Sequence, residues 1–419
     1  MAIKRYNSAT GKWEYVGNPG SITPNGIGAV SNAGGSLVVP ANASTKGIQI
    51  QATASQSANL QEWQNSSGVA QAYVDANGNF NSYNYNMAGK NFIINGGMDI
   101  WQRGVGPFSI NAQTQTYTAD RWNTWAEGSG TGVATVTQQP AGLNGFTYCL
   151  RITRTSSFPT SGNPRLYVGR SFESIADVTP WQGKTLVLSF YARAGAGYSG
   201  SNTFWSYFTS GGGTDTTFTG EPSSSTPYSQ FTTLTTSWQK FTQVVTVPAG
   251  NTAARMFFSY VPSSSYAAND YFEITGVQLE LGSTATSFTR TGGNYQGELS
   301  ACQRYAQLVG YSPTSGSQPV CTAYAVTSST VRGMFTLPVT MRTTPTLVAS
   351  SGTNFYLVYI NATVSYFNSL TLAGSNGING VLWGATLTAG STTAGLAGSM
   401  EINPTAAFAS TTILLTAEL

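Results

Sequence analysis

The sequence has no histidine in 419 residues, and that absence removes more chemistry than any other feature. Without imidazole there is no Ser-His-Asp or Cys-His nucleophilic site and no His-ligated metal centre. Charge is also scarce. Asp, Glu, Lys and Arg make up 8% of the chain, against roughly 25% in an average soluble protein. The 19 basic and 16 acidic residues nearly cancel, and no run of Lys or Arg is longer than Lys4-Arg5. The clustered basic patch that phosphate binding needs is missing, so nucleic-acid binding is not expected. Three cysteines, Cys149, Cys302 and Cys321, form no C-x-x-C pair and are expected to be buried free thiols. No stretch approaches the roughly 18 apolar residues of a membrane span. The N-terminal Met-Ala-Ile-Lys-Arg-Tyr-Asn leads into no apolar signal core. The chain is therefore expected to be made in a cytoplasm, without membrane insertion, and to leave by a route other than secretion. Its Gly-rich stretches match neither a P-loop nor a G-x-G-x-x-G turn opening a helix.

What is present is aromatic and polar. With 9 Trp, 22 Tyr and 20 Phe, the chain is unlike a disordered polymer, which is poor in aromatics. Its surface must be kept wet by Ser, Thr, Asn, Gln and Gly, and such a surface suits neutral hydroxylated ligands. Short β-branched and aromatic runs between Gly, Asn, Ser and Pro clusters predict an all-β protein. One helix is expected, over Glu298–Leu308, where Leu299, Cys302, Tyr305 or Ala306, and Leu308 form an apolar stripe.

Four regions follow. Residues 1–45 read as a hairpin (Lys4-Arg-Tyr-Asn against Lys12-Trp-Glu-Tyr-Val16) and a Gly-rich linker that docks on another protein. Residues 46–90 hold three short strands, Gly47–Gln51, Asn59–Gln64 and Val69–Val74, with turns at Asn65–Gly68 and Asp75–Gly78. Each has one apolar face and nothing in the segment to cover it, because about forty residues cannot build an independent core. Three chains around one axis could, which predicts a trimeric shaft. Residues 91–292, with six of the nine tryptophans, suit a jelly-roll sandwich with polar loops at 128–132, 210–214 and 223–228. Residues 293–419 read as the helix followed by a β-sandwich tip. From residue 299 onward only Arg304, Arg332, Arg342, Glu401 and Glu418 are charged. Burial against copies of itself would keep so uncharged a domain soluble.

Asn91-Phe-Ile-Ile-Asn-Gly-Gly-Met-Asp-Ile-Trp-Gln-Arg103 and Tyr117-Thr-Ala-Asp-Arg-Trp122 resemble the opening of jelly-roll domains in bacteriophage tail-fibre proteins. Phe272–Gly282 with Ala285-Thr-Ser-Phe288 resembles the closing strand of that domain, and Glu298–Tyr305 its helical junction, although the family usually has a second aromatic where this chain has Ala306. Phe335–Pro345 is similar to the start of the C-terminal domain and Thr416-Ala-Glu-Leu419 to its ending. Thr45–Phe80 is similar to fibre shaft repeats. The resemblance implies a homotrimeric virion tail fibre with a carbohydrate-binding-module-like sandwich. It would be joined to the phage tail or baseplate through its N-terminus and would attach to host polysaccharide or lipopolysaccharide. A purely structural fibre, collar or baseplate part and a glycan depolymerase are the alternatives. The depolymerase would need paired carboxylates, and Asp120, Asp177, Asp215, Glu221 and Asp270 are scattered through the sequence.

Candidate glycan-stacking residues are Tyr366 and Trp383 in the tip and Trp125, Tyr198, Trp205 and Tyr228 in the sandwich. All six lie beside turn-rich polar text. Tyr356, Tyr359 and Phe367 are expected mainly in the core, as are Trp101 and Trp122. Arg103, Asp120 and Arg121 are expected to form a structural ion pair or anchor a loop. No cofactor is expected, although Asp99 and Glu273 are the carboxylates that could share a structural calcium ion.

Overall fold

A computed structural model describes residues 4–7, 12–15, 50, 53–76, 78, 80–82, 88–159, 164–200, 204–263, 267–312, 318–374, 376–403 and 411–419. The chain divides into two compact units, Met1–Tyr83 and Asn84–Leu419. In the first, β1 (Lys4–Asn7) pairs antiparallel with β2 (Lys12–Tyr15). A separate three-stranded sheet joins β3 (Gln61–Gln64), β4 (Ala70–Val74) and β5 (Phe80–Ser82). Its turns close by Gly68 N to Asn65 O and Gly78 N to Asp75 O, both 3.0 Å, at glycines with positive φ. Ile50, Trp63, Val69 and Phe80 are exposed. The strand expected over Gly47–Gln51 lies, apart from Ile50, outside the described residues, as does the linker.

The second unit opens with an antiparallel sandwich. Its strands are β6 (Phe108–Ile110), β7 (Thr116–Tyr117), β8 (Asn123–Ala126), β9 (Ala134–Leu143), β10 (Phe146–Arg154), β11 (Leu166–Ser171), β12 (Thr185–Ala194), β13 (Phe204–Gly212), β14 (Ser223–Thr232), β15 (Gln239–Thr246), β16 (Ala253–Tyr260) and β17 (Tyr271–Leu281). They form one sheet in the order β15-β12-β17-β10-β9-β6 and a second in the order β14-β13-β16-β11-β8-β7. Alternation explains the core. Leu150, Ile152, Leu186, Leu188, Phe190 and Ile274 of the first sheet meet Leu166, Val168, Phe204, Phe208, Met256 and Phe258 of the second, all buried. Residues 223–228, expected as a loop, are the start of β14. An edge strand paired only to β13 needs no apolar face, so its Ser-rich text carries no alternation to read. A π-type turn, Ser174–Val178, runs into a 3-10 turn, Thr179–Trp181.

The helix α1 spans Tyr295–Gln303, with the Asn294 side chain accepting from Gly297 N at 2.9 Å as its N-cap. It ends earlier than its apolar spacing suggested. Ala306–Ser312 is drawn into a strand, β18, along the last strand, β27 (Thr411–Thr416), and ladder pairing outweighs local periodicity. The stripe is used in part, since Cys302 and Tyr305 pack with Ile94 and Ile100. The C-terminal domain continues with β19 (Gln318–Ala325), β20 (Thr330–Thr336), β21 (Thr346–Ala349), β22 (Tyr356–Ile360), β23 (Thr363–Phe367), β24 (Thr371–Leu372), β25 (Gly380–Thr386) and β26 (Ala397–Ile402). The sheet β18-β27-β21 covers the sheet β23-β22-β26-β19-β20-β25-β24 over a common core.

The seam between sandwich and C-terminal domain is polar and buried. Glu418 bridges Arg103 (3.0 Å) and Arg121, whose side chains are 11% and 1% exposed. Arg121 also lies over the Tyr305 ring at 3.5 Å. Glu173 takes a bidentate pair from Arg304, at 3.0 and 2.8 Å, and a bond from Tyr305. Asp120 is fully buried, accepts from Gln102 N at 2.9 Å and stands 3.6 Å from Arg103. Burial pushes its carboxyl up to about 6 although Arg103 and Gln102 pull the other way. Segments far apart in sequence thus meet at this seam: Asn95 N donates to Glu298, and Tyr117 Oη donates to the Leu419 carbonyl at 2.8 Å.

Candidate functional site

The outer face of the second sheet is aromatic because the odd-numbered positions of its central strands are. Cross-strand register sets Trp125 beside Tyr167, Tyr167 beside Ser259, Ser259 beside Trp205 and Trp205 beside Phe231. The next row runs through Asn123, Gly169, Phe257 and Tyr207. The rings lock together: Tyr207 and Phe257 stack at 4.5 Å, Trp205 and Phe231 at 5.4 Å, and Tyr167 meets Phe257 edge-on at 5.1 Å. Every residue of β16 is consequently buried, on both faces, whereas a sandwich strand normally has one wet face.

The loop 213–222 between β13 and β14 folds over this face and turns it into a hollow of about 260 Å³. Trp125, Glu127, Tyr167, Trp205, Tyr207 and Phe257 form its sheet side, and Phe218, Thr219 and Glu221 its loop wall. Phe218 can reach the sheet because position 169 is glycine. A Cβ there would come within 2.7 Å of the Phe218 ring and 2.6 Å of Phe257 Cα. Arg255 donates to the Phe218 carbonyl at 2.7 Å and pairs with Glu221, and burial lowers its pKa. Tyr167 Oη donates to Glu127, and burial, then that carboxylate, raises the phenol's pKa. Glu127 also accepts from Arg165 N at 2.9 Å, and the Arg165 guanidinium sits 4.7 Å from the Trp205 ring centre. Both carboxylates in the hollow are therefore engaged. The site offers ring faces and hydrogen-bonding edges, the arrangement that holds the C–H face and the hydroxyls of a sugar. Its volume lies just under the roughly 300–1,000 Å³ of pockets for drug-sized ligands.

Of the six candidate residues, the structure brings Trp125 and Trp205 together here and separates the rest. Tyr228 is on the opposite face of β14 and packs on the sandwich core. Tyr198 stacks on Tyr260 at 4.9 Å against the same core. Tyr366 is half-buried in β23, its backbone bonded to Thr388 and Ala389. Trp383 is fully buried. It lies between Phe335 and Phe367, with Nε1 3.2 Å from Cys321 Sγ, so it has no face to offer a ligand. The cause is Gly333 directly opposite on β20, where a Cβ would come within 2.6 Å of the indole. Sequence reasoning missed Tyr167, Tyr207, Phe218 and Phe257. One signal was available in Phe204-Trp-Ser-Tyr-Phe208, where aromatics occupy both faces of one strand.

The two carboxylates named for calcium are both paired with arginine. Asp99 pairs with Arg290 at 2.6 Å, and the buried Glu273 lies between Arg151 (2.6 Å) and Arg193. Each carboxylate is neutralised by guanidinium, and among the described residues no group of three or more His, Cys, Asp or Glu could hold a metal ion. Cys149 and Cys302 are buried free thiols, and Cys321 is a half-buried one.

No family model matches the sequence, and no curated protein does. Among solved structures, the chain is similar to the enzymatically active domain of tailspike protein 4 of Bacteriophage CBA120. That alignment has 16% identity and a TM-score of 0.29, over 46% of this chain and 21% of that one. It is similar to a putative sugar binding protein from Bacteroides thetaiotaomicron at 14% identity and a TM-score of 0.28, over 46% and 100% of the two chains. The CBM22-2 xylan-binding domain from Paenibacillus barcinonensis Xyn10C aligns at 16% identity and a TM-score of 0.24, over 39% and 92%. The chain spans about a fifth of the tailspike structure's length, and scores this low carry no argument for it.

Proposed function

We propose that this chain is a glycan-binding attachment protein, a phage tail fibre that engages a sugar of the bacterial surface in the aromatic hollow of its sandwich. The observation that carries the reading is the register itself. Trp125, Tyr167, Trp205, Tyr207 and Phe257 converge on one outward face and are walled by a loop. These rings pack with Phe218 as a small cluster apart from the sandwich core, and Trp125, Tyr167 and Trp205 are left only partly buried. The near absence of charge suits a ligand met through stacking and hydroxyl bonding. A hydrolytic role lacks support in the hollow, because Glu127 and Glu221 are both held in hydrogen bonds. Assembly as a homotrimer belongs to the same reading. It is supported by the exposed Ile50 and Val69 and by the exposed Trp63 and Phe80 of a sheet too small to bury them. Its test is mass in non-denaturing buffer, expected at three times 44.1 kDa; a stable monomer at micromolar concentration would refute it.

The test of the hollow is binding to an array of bacterial O-polysaccharides. The intact protein should bind a subset, and Trp205→Ala and Trp125→Ala should each weaken that binding by more than they lower stability. Binding retained in both variants would remove the hollow from the proposal.

A further inference from the structure

We infer that Arg342 of the C-terminal domain is a positioning residue for the hollow, holding its loop wall in place from outside the sandwich. The inference rests on the glycan reading of that site. Its starting point is the loop 213–222, which supplies Phe218, Thr219 and Glu221 to the hollow. This loop joins the edge strand β14 to β13, so the sheet supports it from one side only.

Its fixed point is Asp215. The residue has φ +47, in the left-handed region that Asp and Asn tolerate better than other side chains. One carboxylate oxygen accepts from Ser174 N at 3.0 Å, and Asp215 N donates to Ser174 Oγ at 2.7 Å. The other oxygen accepts from Arg342 Nη1 at 2.9 Å. Arg342 is itself immobilised. Its Nε donates to Ala417 O and its Nη2 to Glu418 O, both at 2.9 Å, and its backbone N donates to Arg304 O at 2.8 Å. A guanidinium is planar, so the two carbonyls on its Nε and Nη2 fix its orientation as well as its position. Its remaining edge is aimed at the loop.

Three residues past Asp215 the loop delivers Phe218, whose ring meets Phe257 edge-on and whose carbonyl receives Arg255. Arg255 in turn holds Glu221. Thr219 Oγ1 accepts from Gln115 at 2.8 Å. A displacement of Asp215 therefore reaches the aromatic wall, the arginine and the carboxylate of the hollow together. Glu418, whose backbone carbonyl holds Arg342, clasps Arg103 and Arg121 with its side chain. The geometry of the hollow is set partly by whether the end of β27 is seated. Arg342 and Asp215 are 14% and 34% exposed, and Asp215→Asn leaves the Arg342 bonds to the Ala417 and Glu418 carbonyls in place. Cutting the tether should loosen the loop without unfolding the protein.

The experiment compares the intact chain with Arg342→Ala, Asp215→Asn and the double variant. The first readout is amide hydrogen exchange across residues 213–222, which involves no ligand. The second is affinity for the O-polysaccharide bound most tightly by the parent, with Trp205→Ala alongside. The expected result is faster exchange in the loop and an affinity loss of about two- to tenfold in each single variant. The double variant should lose no more than either alone, as members of one interaction do. Unchanged exchange would overturn the tether, and faster exchange with unchanged affinity would overturn its coupling to the hollow. If Trp205→Ala binds like the parent, the glycan reading fails, while the exchange result still judges the tether.

Discussion

The sandwich and the C-terminal domain are both two-layered β structures, yet they dispose of their aromatics in opposite ways. In the C-terminal domain Phe335, Tyr356, Phe367 and Trp383 all turn inward and form the core. The apolar side chains left outside, Met334, Val348, Tyr359 and Tyr324 among them, are spread over different strands. The sandwich fills its core and then repeats the aromatic investment on an outer face. The broad depression of the C-terminal domain, about 670 Å³, is lined by thirteen residues, of which two, Tyr324 and Phe335, carry aromatic rings. The comparison teaches that polar, turn-rich flanks do not make a strand aromatic a contact residue. What decides is which face the pleat gives the residue. Trp383 falls on an inward position, where Gly333 across the ladder leaves room for the ring, while Trp205 shares the outer face with Ser259 and Phe231.

The sharpest way to break this contrast is Trp383→Ala. Emptying so large a core site should cost about 3–5 kcal/mol, read as an early transition in urea unfolding. A variant as stable as the parent but unable to bind would invert the assignment. Glu418→Ala attacks the seam that joins the two regions. It leaves Arg121, 1% exposed, without its carboxylate, and should cost about 3 kcal/mol in the same measurement. Trp205→Ala should do the reverse of Trp383→Ala, losing about 1–3 kcal/mol of binding with a smaller change in stability. Calorimetric titration and melting on one sample separate the two.

Smaller still is a pH effect at Asp120. Its folded pKa, raised to about 6 mainly by burial, exceeds the ordinary 3.8, so the folded chain holds this proton more tightly than the unfolded one. Stability from this group therefore grows as pH falls through 6 towards 4 and is lost as pH rises again. Between pH 7 and 5 the parent should gain about 1 kcal/mol relative to Asp120→Asn. A gap between the two that does not move with pH would show the carboxyl already ionised throughout that range.

The sequence made the sandwich legible in long apolar and β-branched runs such as Lys184–Tyr191 and in the alternation of Gln239–Val247. It was silent at β14, whose solvent-facing serines need no pattern, and misleading at Ala306–Leu308, where a helical spacing was overruled by pairing with β27. The pairing of Arg103, Asp120 and Arg121 could be anticipated because charge is so rare in this chain. Their common partner Glu418 could not, since it comes from some 300 residues away. Two residues of the hollow were recognisable as tryptophans in wet surroundings. Its remaining walls depend on register and on one loop folding back, and neither leaves a local mark.

The way the sandwich sheets end bears on how copies of the protein behave when crowded. Exposed sheet edges are templates for strand addition and aggregation. Here β14 carries Pro227 and a run of serines, β15 places Lys240 on its exposed flank, and β6 and β7 are three and two residues long. None offers a long, flat, apolar ladder to a neighbour. Many copies held close together would therefore resist zipping into a continuous sheet, and association would be steered to the broad faces of the domains.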